Sequence, residues 1–413
     1  MALVKPFCCV RPEPALAARV AALPYDVYNR QEAKEVVEKN PLSFLAIDRA
    51  ETGLPDSVST YDDQVYARAK ELFEARVKDG TFLEDPKPAY YLYELTRNGV
   101  SQTGIVGCSA VDDYLSGVIK KHENTREEKE IDRIRHIDSL NAQTGPIFLT
   151  YRQTAGLSDI VAAQKKKVPL YDFVAVDGVV HRVWEVDSDA NARIQAEFAA
   201  IPATYIADGH HRAASAVKVA LKRREEHPGA GPDAEFNFFL SVLFPENELS
   251  ILPYNRVVKD LAGLTEEAFF EAVSASFTVE RVGRTPVLPE KKGTFGMYVN
   301  DVWYRLCAKS EAVPADPVGS LDVSVLQDRL LGPVLKIGDP RTDKRIDFVG
   351  GIRGLGELER RVHSDMKIAF SMYPTSMEEL LSVADAGLLM PPKSTWFEPK
   401  LRSGLFIHRL GEQ

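Results

Sequence analysis

The stretch ATYIADGHHRAASAVKVALKRR, residues 203–224, changes character at its centre. An apolar run from Ala203 to Ala207 meets Asp208, Gly209, His210, His211 and Arg212, and helix-period sequence follows without a break. Where a strand turns into a helix, the first N–H groups of the helix are unpaired and carry a partial positive charge, so the junction attracts anions. Gly209 permits close backbone approach and unusual φ. Arg212 can grip a phosphate or carboxylate through two parallel hydrogen bonds. His210 and His211 add donors whose charge responds near neutral pH. The combination suits a phosphate-bearing ligand, with Asp208 and His210 as candidate catalytic groups and Gly209, His211 and Arg212 as candidate phosphate binders. In the plainer alternative Asp208 caps the helix, as Asp often does, and the histidines are surface residues. Adjacent histidines face different directions on a helix, which disfavours a paired zinc site.

A second constellation is KKHENTREEKE, residues 120–130. Thr125 followed by Glu128 fits a capping box. A capping box does not require His122, Glu123 and Asn124 before it, an arrangement suited to Mg²⁺ or to a substrate hydroxyl. Glu123 is the candidate general base or Mg²⁺ ligand, with Asn124 and Thr125 as nucleotide contacts. Further candidates are Lys121 and His122, Tyr25 and Asp26 in LPYDV, and Lys393 and Ser394 in a Pro-bounded loop. The glycines of FVGGIRGLG lack the order of a dinucleotide fingerprint, and no Walker-type Gly-Lys-Ser/Thr motif occurs.

The elements that must position these residues follow from periodicity. Helices are expected over 30–39, closed by Asn40-Pro41, and over 65–80, ended by Gly80. The charged amphipathic stretch 126–145 reads as a helix capped by Gly145. Hairpins are expected on Asn98-Gly99 and Asp177-Gly178. A buried strand in PIFLTY is followed by helix 189–200, strand 203–207, helix 211–226 and strand 236–244. Hairpins interleaved with helices predict an α+β architecture instead of a doubly wound parallel sheet. A boundary near 245–261 divides the chain into 1–250, which carries the phosphate site, and an α+β half, 251–413.

The chain has 413 residues, 45% hydrophobic and 27% charged, an ordinary composition for a soluble globular protein. No apolar run approaches the roughly 18 residues of a membrane span, and the N-terminus lacks a signal-peptide core, so a cytoplasmic protein is expected. Its four cysteines have neither metal nor disulfide spacing. The net charge of −9 disfavours DNA as a partner. A small-molecule substrate and a nucleotide are the expected partners, and a homo-oligomer is allowed.

The N-terminal segment KPFCCVRPEPALAARVAALPYDVYNRQEAKEVVEKNPLSFLAIDR, with KKHENT, NAQTGPIFLTY, ADGHHRAAS and MPPKSTWFEPKLRSGL, resembles domain-of-unknown-function family ten-fifteen of bacterial and archaeal ParB-like proteins. ADGHHR is also similar to an element of the wider ParB and sulfiredoxin superfamily, including its free-serine kinases. Asp208 to Arg212 matches the Asp-Gly-His-x-Arg of those kinases, and Glu123 is the nearest candidate for their upstream catalytic glutamate. The segment ENTR is similar to the ParB Glu-Asn-x-x-Arg, although Arg126 comes one residue early and the segment precedes the glycine motif. Sulfiredoxins carry a nucleophilic cysteine where His210 stands. The resemblance implies a ParB/sulfiredoxin-like core, Mg²⁺ and a nucleotide (ADP, ATP or CTP), and phosphotransfer to a small hydroxyl compound such as free serine. A nucleotide-gated regulatory protein and a phosphomonoester hydrolase are the alternatives.

Overall fold

Asn98 and Gly99 both have positive φ (51° and 78°), the geometry that lets two residues reverse a twisted hairpin. The strands they join, Tyr91–Arg97 and Val100–Ala110, pair antiparallel in full register. They form the middle of a nine-stranded sheet in a computed structural model that describes residues 1–125 and 127–411. The fold is α+β. The sheet is mixed: Phe238–Pro245 runs parallel to Ile147–Tyr151 and antiparallel to Val100–Ala110. Thr204–Asp208 runs antiparallel to Ile147–Tyr151 and parallel to Ile119–Lys120.

The chain divides into two compact units, Met1–Leu249 with Pro399–Gln413, and Ser250–Glu398. In the first, Ile194, Phe198, Ala213, Val217 and Ala220 pack against Leu149, Ile206, Phe239 and Leu243 of the large sheet. A second core gathers Ala33, Phe44, Ala69 and Phe73 with Phe82, Ala142 and Ile407. Residues 399–413, grouped with 251–398 on sequence alone, belong to the first unit. Strand Ile407–Arg409 pairs with both Cys9–Pro12 and Ala142–Gln143, a non-local match that local patterning does not reveal.

The second unit is built on a six-stranded sheet whose pairings are all antiparallel. Helices Glu266–Ser276, Leu355–Ser364 and Met377–Asp385 accompany it. Among the described residues no helix is long and apolar enough to cross a membrane.

One helix is shorter than its periodicity predicts. The charged helix runs over Glu127–Leu140, because Asn141 takes a left-handed φ of 48° and Ala142–Gln143 turns into a strand. Gly145 therefore does not cap it. Arg126 lies outside the described residues.

Candidate functional site

The junction at 208–212 forms as its residue types require. Strand Thr204–Asp208 ends beside Phe148, with a bulge between Ile206 and Asp208. Helix His210–Glu226 then starts with Gly209 as its N-cap, at φ 93° and ψ 31° and with no side-chain cap. Asp208 is not the cap; its Oδ1 accepts the Gly209 N–H at 2.8 Å. The first turn is thus left open, the condition for an anion to take the N–H groups.

Arg212 folds back over this turn. A Cβ built on Gly209 would lie 2.9 Å from Arg212 Nε and 3.0 Å from NH2, so the side chain covers the glycine. Its NH1 donates to the Pro146 carbonyl at 2.6 Å and lies 3.7 Å from where a Cβ of Gly145 would be. One edge of the guanidinium faces the Gly209 turn, and the other end faces the 145–146 backbone.

Lys400 brings an ammonium to 3.1 Å from Asp208 Oδ2. Burial alone would push the Asp208 carboxyl up, but Lys400 and then Arg212 hold it well below the usual carboxylate range. His122 and His210 meet edge to face, ring centroids 4.5 Å apart. Both are buried. Burial pushes the His122 imidazole down to about 4, and burial together with His122 takes His210 well below the usual histidine range. Both rings are neutral at pH 7. Neither ring nitrogen of His122 makes a well-formed hydrogen bond among the described residues, and the Ile206 backbone is the polar group that approaches the ring. Glu123 Oε2 stands 3.9 Å from His210 Nδ1, and its side chain is 45% exposed.

The structure therefore brings together His122, Glu123, Asp208, Gly209, His210 and Arg212 from two distant segments. Asn124 is exposed on the same loop, while the Thr125 hydroxyl engages Glu130 and helps hold that carboxyl low. His211 is half-buried in the first turn and lies near enough to Glu130 to help hold that carboxyl low. Lys121 is exposed, 5.9 Å above the Tyr114 ring. Tyr25 lines a cavity that Arg212 also lines, and Asp26 is exposed beside it. Lys393 and Ser394 belong to the second unit. There Ser394 Oγ donates to the Pro391 carbonyl at 2.6 Å and Lys393 Nζ lies 5.1 Å from the Tyr254 ring centroid.

Among the described residues no three His, Cys, Asp or Glu side chains converge as a metal-holding group. Mg²⁺ commonly takes only one or two carboxylates, with phosphates and water completing its shell. Glu123 fits that role better than Asp208, whose two oxygens already accept from Gly209 and Lys400.

The family described as "Protein of unknown function (DUF1015)" matches residues 4–324, a span that holds both the 122–125 loop and the 208–212 turn. The chain belongs to that family. No curated protein matches it. Solved structures similar to this DUF1015 chain include a free serine kinase in complex with AMP, at 14% identity and a TM-score of 0.34, covering 72% of this chain and 91% of that one. They also include a conserved hypothetical protein from Pyrococcus furiosus, at 15% identity and 0.34, covering 73% and 94%. A third is SbnI from Staphylococcus aureus with a C-terminal truncation, at 12% identity and 0.38, covering 72% and 85%.

Four residues of this DUF1015 chain were not singled out by motif: Asp48, Arg133, His136 and Lys400. Asp48 and His136 meet at 3.3 Å, both buried. Local sequence carried no signal for Arg133 and His136, because the helix face is inverted: Ile131 is 50% exposed while Asp132, Arg133 and His136 are buried. Lys400 carried no signal, since 192 residues separate it from its partner.

Proposed function

We propose that the chain catalyses nucleotide-dependent phosphotransfer to a small hydroxyl compound through a ParB/sulfiredoxin-like phosphate site. Free serine is the first acceptor to test, with ATP, ADP or CTP as donor. The observation that carries this reading is the uncapped helix start at Gly209, covered by Arg212 and bordered by two uncharged histidines and Glu123. Phosphoryl transfer depends mainly on positioning and charge neutralisation, which a helix N-terminus and an arginine supply.

In the proposed reaction the acceptor hydroxyl oxygen attacks the terminal phosphorus and its proton passes to the Glu123 carboxylate. The new O–P bond forms as the bond to the nucleotide's bridging oxygen breaks, and that electron pair leaves with the nucleotide. Arg212 and the first helical N–H groups hold the phosphate oxygens. Neutral His210 and His122 keep the wall polar without adding a competing charge. In the alternative assignment Glu123 does not take the proton, and with Asn124 it would hold Mg²⁺, which neutralises phosphate charge when bound.

The test is phosphorus NMR of the protein with Mg²⁺, each nucleotide and serine. A new phosphoester resonance is the expected result. Inorganic phosphate in its place would indicate a hydrolase. Nucleotide binding with no product from any hydroxyl acceptor would indicate a nucleotide-gated binding protein.

A further inference from the structure

Two cavities adjoin in the first unit behind Arg212, and four side chains line both: Tyr25, Asp48, Arg133 and His136. The inner cavity has a volume of about 40 Å³ and reaches Thr144, Arg212 and Ser403. The outer one has about 280 Å³. A single water needs roughly 10–15 Å³ measured in this way, so the inner space holds a group of only a few heavy atoms.

The walls are built from buried charge. Asp48 Oδ1 lies 3.3 Å from His136 Nε2, 3.3 Å from the Thr144 hydroxyl and 3.9 Å from Arg133 NH1. Arg133 donates through Nε to Asp132 Oδ2 at 2.8 Å, and its guanidinium stacks 3.8 Å from the Tyr25 ring centroid. The other Asp132 oxygen takes the Tyr66 hydroxyl at 2.8 Å. His136 is 4% exposed, and its Nε2 makes no well-formed hydrogen bond among the described residues. Removing this many charges from water costs several kcal/mol per ion, and a hydrophobic filling would pack these helices without that cost. Their mutual pairing makes this burial tolerable, and the walls they present to the two cavities are polar.

The charge is also graded. Asp26, Asp48, Glu51 and Asp132 face the outer cavity against three cations. In the inner cavity a single carboxylate, Asp48, faces two guanidiniums, Arg133 and Arg212. The cavity is thus positive at its inner end and negative toward its mouth. A neutral polyol gains nothing from such a gradient, and an ion of one sign gains at one end and loses at the other. A small molecule carrying both charges gains at both.

We infer that these two cavities form a subsite for a small zwitterionic hydroxy compound, its carboxylate directed inward to Arg133 and Arg212 and its ammonium outward to Asp48, which lines both cavities, and the acidic outer wall. This rests on the phosphotransfer reading only in naming that compound as the acceptor. Arg212 is the shared wall, with its NH1 end toward this subsite and its Nε edge toward Gly209.

The experiment is calorimetric titration of the full chain without nucleotide, using L-serine, L-threonine, L-homoserine, glycerate, ethanolamine and glycerol. At least one of the three amino acids should bind tenfold or more tightly than each of the last three, which lack one charge or both. Asp48→Asn should erase the preference over glycerate, and Arg133→Met should reduce the preference over ethanolamine. The wild-type series needs no variant to fold, so it decides by itself. Equal affinity across the series, or no amino acid bound, overturns the subsite. Phosphorus NMR is scored separately: phosphorylated glycerol with no zwitterion preference would sink the subsite and keep the phosphotransfer reading. Selective amino-acid binding without transfer would do the reverse.

Discussion

Lys400 Nζ sits 3.1 Å from Asp208 Oδ2, joining the C-terminal segment to the strand end that begins the candidate site. Arg212 is the next cation, 3.9 Å from the same oxygen. Lys400 has the larger hold on that carboxylate, and without it Arg212 would become its nearest cation. Lys400→Met should weaken nucleotide binding by about 1.5 kcal/mol, roughly tenfold. Calorimetric titration of wild type against variant measures it. Unchanged affinity would mean that Arg212 keeps its pose without help.

Arg212→Ala should act more directly. Loss of a charged hydrogen bond costs about 1.5–3 kcal/mol, or roughly ten- to a hundredfold or more in affinity. The same titration reads it, with a circular dichroism melt to establish that the variant is folded. A folded variant of wild-type affinity would remove the arginine from phosphate binding.

Gly209→Ala tests the turn itself. A non-glycine residue held at φ 93° is strained by about 1–3 kcal/mol, and the new methyl would press on Arg212 Nε at 2.9 Å. Both the melting temperature and the nucleotide affinity should fall. A lower melting temperature with intact affinity would separate the strain from the ligand site.

Glu123→Gln preserves size and removes the charge. If Glu123 takes the acceptor proton, kcat should drop by about 10²–10⁴-fold with little change in nucleotide affinity. If it holds Mg²⁺ instead, affinity should fall too and activity should recover in part at high magnesium. Initial rates over a magnesium series distinguish the two. An unchanged rate would leave the residue with no role in transfer.

His122 gives a pH signature with a definite sign. Its folded value of about 4 lies below the ordinary 6.5, so the unfolded chain takes up this proton first as pH falls. The stabilisation is complete above about 6.5 and is lost progressively toward about 4. His210, shifted the same way, adds to the effect. The melting temperature should therefore decline between pH 7 and 5, and His122→Asn should flatten that decline. An identical slope in the variant would show that acid destabilisation arises elsewhere.

The sequence by itself determined the features that local physics controls. Helix 30–39 appears at Arg30–Lys39 with an Asn29/Glu32 capping box, because apolar period and cap are both short-range. Asn98-Gly99 and the glycine of Asp177-Gly178 turn where their positive φ demands. The α+β class follows from the same alternation of hairpins and helices. The apolar-to-polar break at Ala207–Asp208 marked the strand–helix junction to within two residues. Only the tertiary structure decided which partners met there. Pairing of Ile407–Arg409 with Cys9–Pro12 brings the chain end back to the first unit and with it Lys400, a contact between residues far apart in sequence that no window of residues encodes. The helix Glu127–Leu140 shows the same limit in another form. Periodicity identifies an amphipathic helix but not which face turns inward, and here the face carrying Asp132, Arg133 and His136 is the buried one. The helix is oriented by what its neighbours offer: Asp48, Tyr25 and Tyr66 supply the ion pair, the ring face and the hydroxyl that make burial of those charges tolerable.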